Sequence, residues 1–118
     1  MCRSSDRDTE LVKKNRLLRL DAEGFLKCLS DWDESVATLI AANEGIFLKE
    51  AHWEIIYLLR AFYQTHSVAP PNRALVSLVK RELGAEKGQS RYLMGIFGGS
   101  PAKTAARVAG LPKPENCL

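Results

Sequence analysis

The sequence predicts a mainly α fold: an orthogonal helical bundle with helix-turn-helix-like elements, a small N-terminal β-hairpin and an extended C-terminal arm. Three observations point there. Between residues 31 and 109, apolar side chains recur at helical spacing in five separate segments. Glycine or proline punctuates every junction between those segments. The last nine residues, Gly110-Leu-Pro-Lys-Pro-Glu-Asn-Cys-Leu118, then drop the periodicity. With 118 residues, the chain has room for one domain and one modest core. It divides into a disordered extension over residues 1–15, a helical domain over 16–109 and a mobile arm over 110–118.

Residues 1–15 are polar and charged, without apolar periodicity. Arg16–Leu20 and Phe25–Leu29 flank Asp21-Ala-Glu-Gly24 and read as a hairpin, with Asp21 opening the turn and Gly24 closing it. Cys28 falls in the second strand and reads as a packing residue. Asp31 or Asp33 suits the N-cap of a helix through Ala42, with Val36, Leu39 and Ile40 inward and Gly45 as the stop. A longer helix runs from Glu50 to Thr65. Trp53, Ile56, Tyr57, Arg60 and Tyr63 share one of its faces, while Ile55, Leu58, Leu59 and Phe62 widen the apolar surface. So broad an apolar face predicts the central buried helix. His52 and His66 sit near its two ends and read as structural. Pro71 can open the next helix, Asn72–Leu83, which Gly84 ends. Arg91–Phe97 comes next, with Leu93, Ile96 and Phe97 inward. Ser100-Pro101 reads as an N-cap and first helical residue, opening a helix to Ala109 whose alanines suggest close packing.

Composition bounds the function. No apolar run approaches the ~20 residues that span a membrane. The N-terminus lacks the apolar core of a secretory signal, so a cytoplasmic protein is expected. Residues 1–66 carry nine basic and eleven acidic side chains, and residues 67–118 carry eight and three. The basic C-terminal half suits an acidic partner, an RNA or a persulfide anion. Arg73, Arg91 and Lys103 are candidates for a basic docking surface. Cys2, Cys28 and Cys117 are odd in number and widely spaced, which argues against a disulfide framework. Without C-x-x-C spacing, and with two histidines, neither a metal site nor a cofactor is expected. Phosphate loops, paired carboxylates and a Ser-His-Asp grouping are all missing from the sequence. The helix-turn-helix pattern raises a nucleic-acid-binding alternative, but the presumptive recognition helix, Asn72–Leu83, carries only Arg73, Lys80 and Arg81 as basic groups.

The arm carries the most specific chemistry. Gly110 suits a helix C′ position. Pro112 and Pro114 prevent the helix from continuing and stiffen the base of the arm. Leu111 and Leu118 are its only apolar anchors, so a surface or free position is expected. Fully extended, residues 111–118 span roughly 25 Å. Cys117 is penultimate and fits into a narrow cleft. The reactive form is the thiolate, which Lys113 favours and Glu115 and the terminal carboxylate disfavour. With no built-in general base nearby, Cys117 suits passage of sulfur between partners that supply their own catalytic groups. Taken alone, it also reads as an incidental tail thiol.

The sequence resembles the DsrC/TusE family of sulfur-carrier proteins. The match lies in Asp21–Leu26, Trp32, Ala41–Ile46, His52–Ile56, Arg60–Tyr63, Pro70, Arg73, Lys87–Leu93, Ser100–Lys103 and Ala109–Pro114 with Cys117. It spans residue 16 to the C-terminus. The resemblance implies that Cys117 is the catalytic residue, receiving sulfane sulfur as a persulfide and handing it on by thiol–disulfide-type exchange. DsrC proteins of dissimilatory sulfur metabolism carry a second cysteine eleven residues earlier, where this chain has Ala106. That favours the TusE-like branch, a relay toward 2-thiouridine at the tRNA wobble position. The implied donor is a TusBCD-like complex. The implied acceptor is a tRNA 2-thiouridylase of the MnmA type, with its tRNA. A DsrC-like partner in sulfur oxidation is the nearer alternative. Three departures stand out: Lys49-Glu50 at the start of the long helix, Phe97-Gly98 in place of Phe-Pro, and the N-terminal extension.

Overall fold

The computed structural model describes residues 9–13 and 16–114. Two strands, β1 (Thr9–Lys13) and β2 (Arg16–Leu20), pair antiparallel, with Thr9 opposite Leu20 and Lys13 opposite Arg16. Five helices complete the order: α1 (Glu34–Asn43), α2 (Glu50–His66), α3 (Asn72–Leu83), α4 (Ser90–Phe97) and α5 (Pro101–Val108). The expected fold class is therefore the observed one.

The hairpin is displaced from its expected place. The turn at Asp21–Gly24 forms: Asp21 Oδ1 accepts from the Glu23 and Phe25 amides at 2.9 and 3.0 Å. Beyond it there is no second strand. Leu26 makes a single bridge to Leu20, and the chain then tightens into a 3₁₀ turn at Leu29–Asp31. This turn carries Trp32 inward, where its indole donates to Val108 O at 2.9 Å. The partner of β2 is instead β1, so residues 9–13 are not an unstructured extension. Its apolar pair, Leu11-Val12, is too short for strand periodicity to be visible.

The helix starts show which local signals hold. Asp33 caps α1, its Oδ1 accepting from the Val36 amide at 2.9 Å. Pro71 is the N-cap of α3, one position before the helix rather than inside it. At α5 the Ala102 amide is satisfied by Asn72 Oδ1 at 2.9 Å, which ties the start of α3 to the start of α5. At α2 the side chain of His52 reaches back to the helix start, its Nδ1 accepting from the Lys49 amide at 3.0 Å.

The central helix is α5, which packs against all four other helices. Ala102, Ala105 and Ala106 are buried and let its neighbours approach closely. The expectation that α2 is the central buried helix is therefore corrected. It buries His52, Ile55, Ile56 and Leu59 on one stripe, while Tyr57 is exposed. A long helix is wide enough in apolar residues to look central while covering only one side of the core. Phe25, Val36, Ile40, Leu75, Val79 and Leu93 complete that core.

Candidate functional site

The arm leaves the body at the C-terminal end of α5, and that end is closely held. Gly110 adopts φ 73°, in the left-handed region. Its amide donates to Arg107 O at 3.2 Å, and the Leu111 amide donates to Ala106 O at 2.9 Å. Together these form a Schellman motif, which satisfies two carbonyls the helix would otherwise leave open. Leu111 is 2% exposed and Ala106 is fully buried, and both belong to the hydrophobic core.

Two side chains from distant elements hold the next carbonyls. Trp32 Nε1 donates to Val108 O, and Arg60 Nη1 donates to Ala109 O at 2.6 Å. The Arg60 guanidinium also lies over the Trp32 ring, 3.9 Å from its centroid. A cation at the negative end of a helix is favourable, and the aromatic face strengthens its seat. Burial lowers the Arg60 pKa from its ordinary value. The group remains protonated at any physiological pH.

Trp32 also forms the wall behind Gly110. A Cβ at residue 110 would lie 2.3 Å from Trp32 Cδ1 and 2.9 Å from Trp32 Cβ. Glycine is required there twice, for its backbone angle and for the close approach.

Past Gly110 the chain runs over the turn of residues 21–24. Lys113 Nζ meets Glu23 Oε1 at 3.1 Å, and Pro114 is buried. The arm was expected to lie on the surface or move freely. Over residues 110–114 this is corrected: one apolar anchor, Leu111, suffices because the Schellman geometry turns it into the core. Cys117, the candidate reactive residue, lies outside the described residues, as do Glu115, Asn116 and Leu118.

Of the candidate basic docking residues, Lys103 lies beside the arm, with its Nζ 3.8 Å from the same Glu23 carboxylate. Arg73 and Arg91 are exposed at the starts of α3 and α4. The arm is held instead by Trp32 and Arg60, for which the sequence suggests no such role. The available signal was a guanidinium on the apolar face of α2.

His52 is structural, as expected. With Nδ1 accepting, Nε2 carries the proton and donates to Ile96 O at 2.8 Å, and the ring packs edge-on against Phe97. Cys28, 9% exposed, is disulfide-bonded, contrary to the expectation of a packing residue outside any disulfide. An odd cysteine count forbids complete pairing but not a single bridge. Among the described residues no group of His, Cys, Asp and Glu could hold a metal ion, and no helix is long and apolar enough to cross a membrane.

Known proteins resemble this arrangement along nearly its whole length. The family model "DsrC like protein" matches residues 12–118. The sulfurtransferase TusE of Yersinia pseudotuberculosis is 46% identical over 105 residues, covering 89% of this chain and 97% of its own. That of Sodalis glossinidius is 50% identical over 98 residues, covering 83% of this chain and 91% of its own. The solution structure of Allochromatium vinosum DsrC superposes with a TM-score of 0.85 at 40% identity, covering 94% of this chain and 99% of that one. The family match runs unbroken through the helical body and the terminal arm, and the chain belongs to the DsrC-like protein family.

Proposed function

We propose that this chain is a sulfur-relay sulfurtransferase in which Cys117 accepts a sulfane sulfur as a persulfide and passes it on toward tRNA wobble 2-thiouridine synthesis. The observation that carries this reading is the built root of the arm. Trp32, Arg60 and the Schellman turn fix the direction in which residues 110–114 leave the body. Three residues after the buried Pro114 comes the thiol. A carrier needs that combination: a firm base presented to a partner and a short tether bearing the reactive atom. The sulfurtransferase relatives supply the class of chemistry.

In the proposed reaction, the Cys117 thiolate attacks the outer sulfur of a donor persulfide and the donor thiolate leaves. An acceptor thiolate then attacks the outer sulfur on Cys117, and the Cys117 thiolate leaves. Each transfer conserves electrons, so no cofactor is consumed. The donor in this reading is a TusBCD-like complex, the acceptor is an MnmA-type tRNA 2-thiouridylase with its tRNA, and the compartment is the cytoplasm. Ala106, where DsrC proteins of sulfur metabolism resemble one another in having cysteine, favours the relay over sulfur oxidation. The exposed face of α3 presents few basic groups, which disfavours the nucleic-acid-binding alternative.

The test is intact mass after incubation with a cysteine desulfurase, cysteine and the relay donors. A reducible gain of about 32 Da, one sulfur, is expected in wild type and should be kept in Cys28→Ser. It should vanish in Cys117→Ser. No gain in any variant, with donors demonstrably active, would sink the reading.

A further inference from the structure

A groove apart from the arm's root is built from the loop after α1, the start of α2 and the end of α4. Its volume is about 570 Å³, within the range of ligand sites. Gly45, Gly95 and Gly98 line it, and nothing lies within 4 Å of a Cβ added at any of the three. Its walls are therefore largely bare backbone. Phe47 and Met94 also line it, yet they are 84% and 48% exposed. Single exposed apolar side chains are ordinary, but two flanking one groove are the pattern of a contact site. Methionine there adds a side chain that adapts to what packs on it.

The backbone, the charge and the neighbours of the groove indicate what covers it. The Phe47 and Leu48 amides donate to nothing among the described residues, and both lie between α1 and α2, outside any helix or strand. An extended segment laid beside them finds open backbone donors next to an apolar pocket, the combination that binds added peptide strands. Lys49 lines the groove, and Arg91 lies one helical turn before Met94. Both are exposed, and neither has an ion-pair partner among the described residues. The carboxylate on the groove wall, Glu44, is already bound to Arg107 at 2.6 Å. Glu50, exposed beside Lys49, offsets one of the two cations and leaves the rim positive. The groove also continues the track of the arm. Glu44 borders a smaller cavity shared with Glu23 and Arg107, and Glu23 holds Lys113. We infer that the groove docks an extended, acidic segment of the protein that exchanges sulfur with the arm, with an apolar side chain of that segment seated between Phe47 and Met94. This rests on the carrier reading of Cys117. Burial of an exposed aromatic at such a contact makes Phe47 its main anchor.

The experiment uses the full-length reduced chain and measures its affinity for a TusBCD-like complex and, separately, for an MnmA-type 2-thiouridylase. Phe47→Ser removes the exposed aromatic. Gly95→Leu fills the groove from within α4, where the Cβ position is open. Both should weaken binding to the same one of the two partners at least about ten-fold. Lys49→Gln should weaken it about two-fold at low salt and not at about 0.5 M salt. Loading of Cys117 from glutathione persulfide needs no docking surface and should keep its wild-type rate in all three variants, which reports an intact fold and arm. Unchanged affinity for both partners in Phe47→Ser and Gly95→Leu overturns the inference and leaves the carrier reading standing. A wild type that loads sulfur but binds neither partner does the same. Self-association of wild type in sedimentation velocity, lost in Phe47→Ser while partner affinity is kept, assigns the groove to a second copy of this chain and also overturns it. Failure of wild type and every variant to gain sulfur on Cys117 overturns the carrier reading and the inference with it.

Discussion

The N-terminal end of α2 and the C-terminal end of α5 solve the same problem in different ways. Both leave backbone groups that the helix cannot satisfy. At α2 a single ring acts from within the helix: His52 accepts from the Lys49 amide and donates to Ile96 O, so the start of α2 is tied to α4. At α5 two residues from separate elements converge on consecutive carbonyls, Trp32 on Val108 and Arg60 on Ala109, and a walled glycine then turns the chain. One ring fixes a helix end in place. Two donors and a wall also fix the direction of the chain that leaves it. In the proposed relay the second arrangement sits where the arm must be aimed, and the first sits inside the body.

The largest expected effect comes from Gly110→Ala. Gly45 has a similar angle, φ 76°, but nothing lies within 4 Å of its added Cβ, so Gly45→Ala isolates the backbone cost. That cost should be about 1 kcal/mol. Gly110→Ala adds the clash with Trp32, and a total of about 3–4 kcal/mol is expected in urea unfolding. Equal losses at the two positions would mean that Trp32 yields freely and is not a wall.

His52→Ala comes next. It removes an amide acceptor and the donor to Ile96 O and opens a void beside Phe97, for a loss of about 2–3 kcal/mol. Sulfur transfer per folded molecule should stay at the wild-type rate, because the arm's root is untouched. Arg60→Met should cost about 2 kcal/mol by leaving Ala109 O without its donor. Here transfer per folded molecule to the acceptor should fall as well, while loading of Cys117 from a small persulfide should not. If Arg60→Met and His52→Ala affect transfer alike, the distinction between the two helix ends is wrong.

Much of this fold was legible in the sequence, for local reasons. Helix spacing, the Asp33 cap and the stop glycines are read within a few residues, and the five helices stand where that reading puts them. The Gly110-Leu-Pro segment reads as a helix exit because its chemistry is local too. The hidden features depend on distant partners. β1 is recognisable only once β2 is known to need an edge. Arg60 reads as a helix-surface residue until Ala109, 49 positions away, is placed beside it. The central role of α5 escaped because eight residues rich in alanine have little apolar bulk. Their value is the closeness they allow, which no count of hydrophobic residues measures. The docking of Leu111 was hidden by the same logic, since one leucine anchors a tail only if a turn aims it inward.

The smallest expected effect tests whether charge contributes to holding the arm. Glu23 faces both Lys113 and Lys103, at 3.1 and 3.8 Å. The Lys113 and Glu23 side chains are 41% and 45% exposed, so water and salt screen their pair strongly. Lys113→Ala should therefore change unfolding free energy by less than about 0.5 kcal/mol. Whatever difference exists should disappear in about 0.5 M salt, where the Debye length is shorter than in physiological buffer. A loss well above about 1 kcal/mol that persists in salt would exceed anything a screened surface pair can supply. Leu111, the Schellman bonds and the two carbonyl donors would then not be enough to hold residues 110–114. No measurable loss, set beside the large cost of Gly110→Ala, would locate the grip on the arm in backbone geometry and burial and leave Lys113 free to meet an acidic partner.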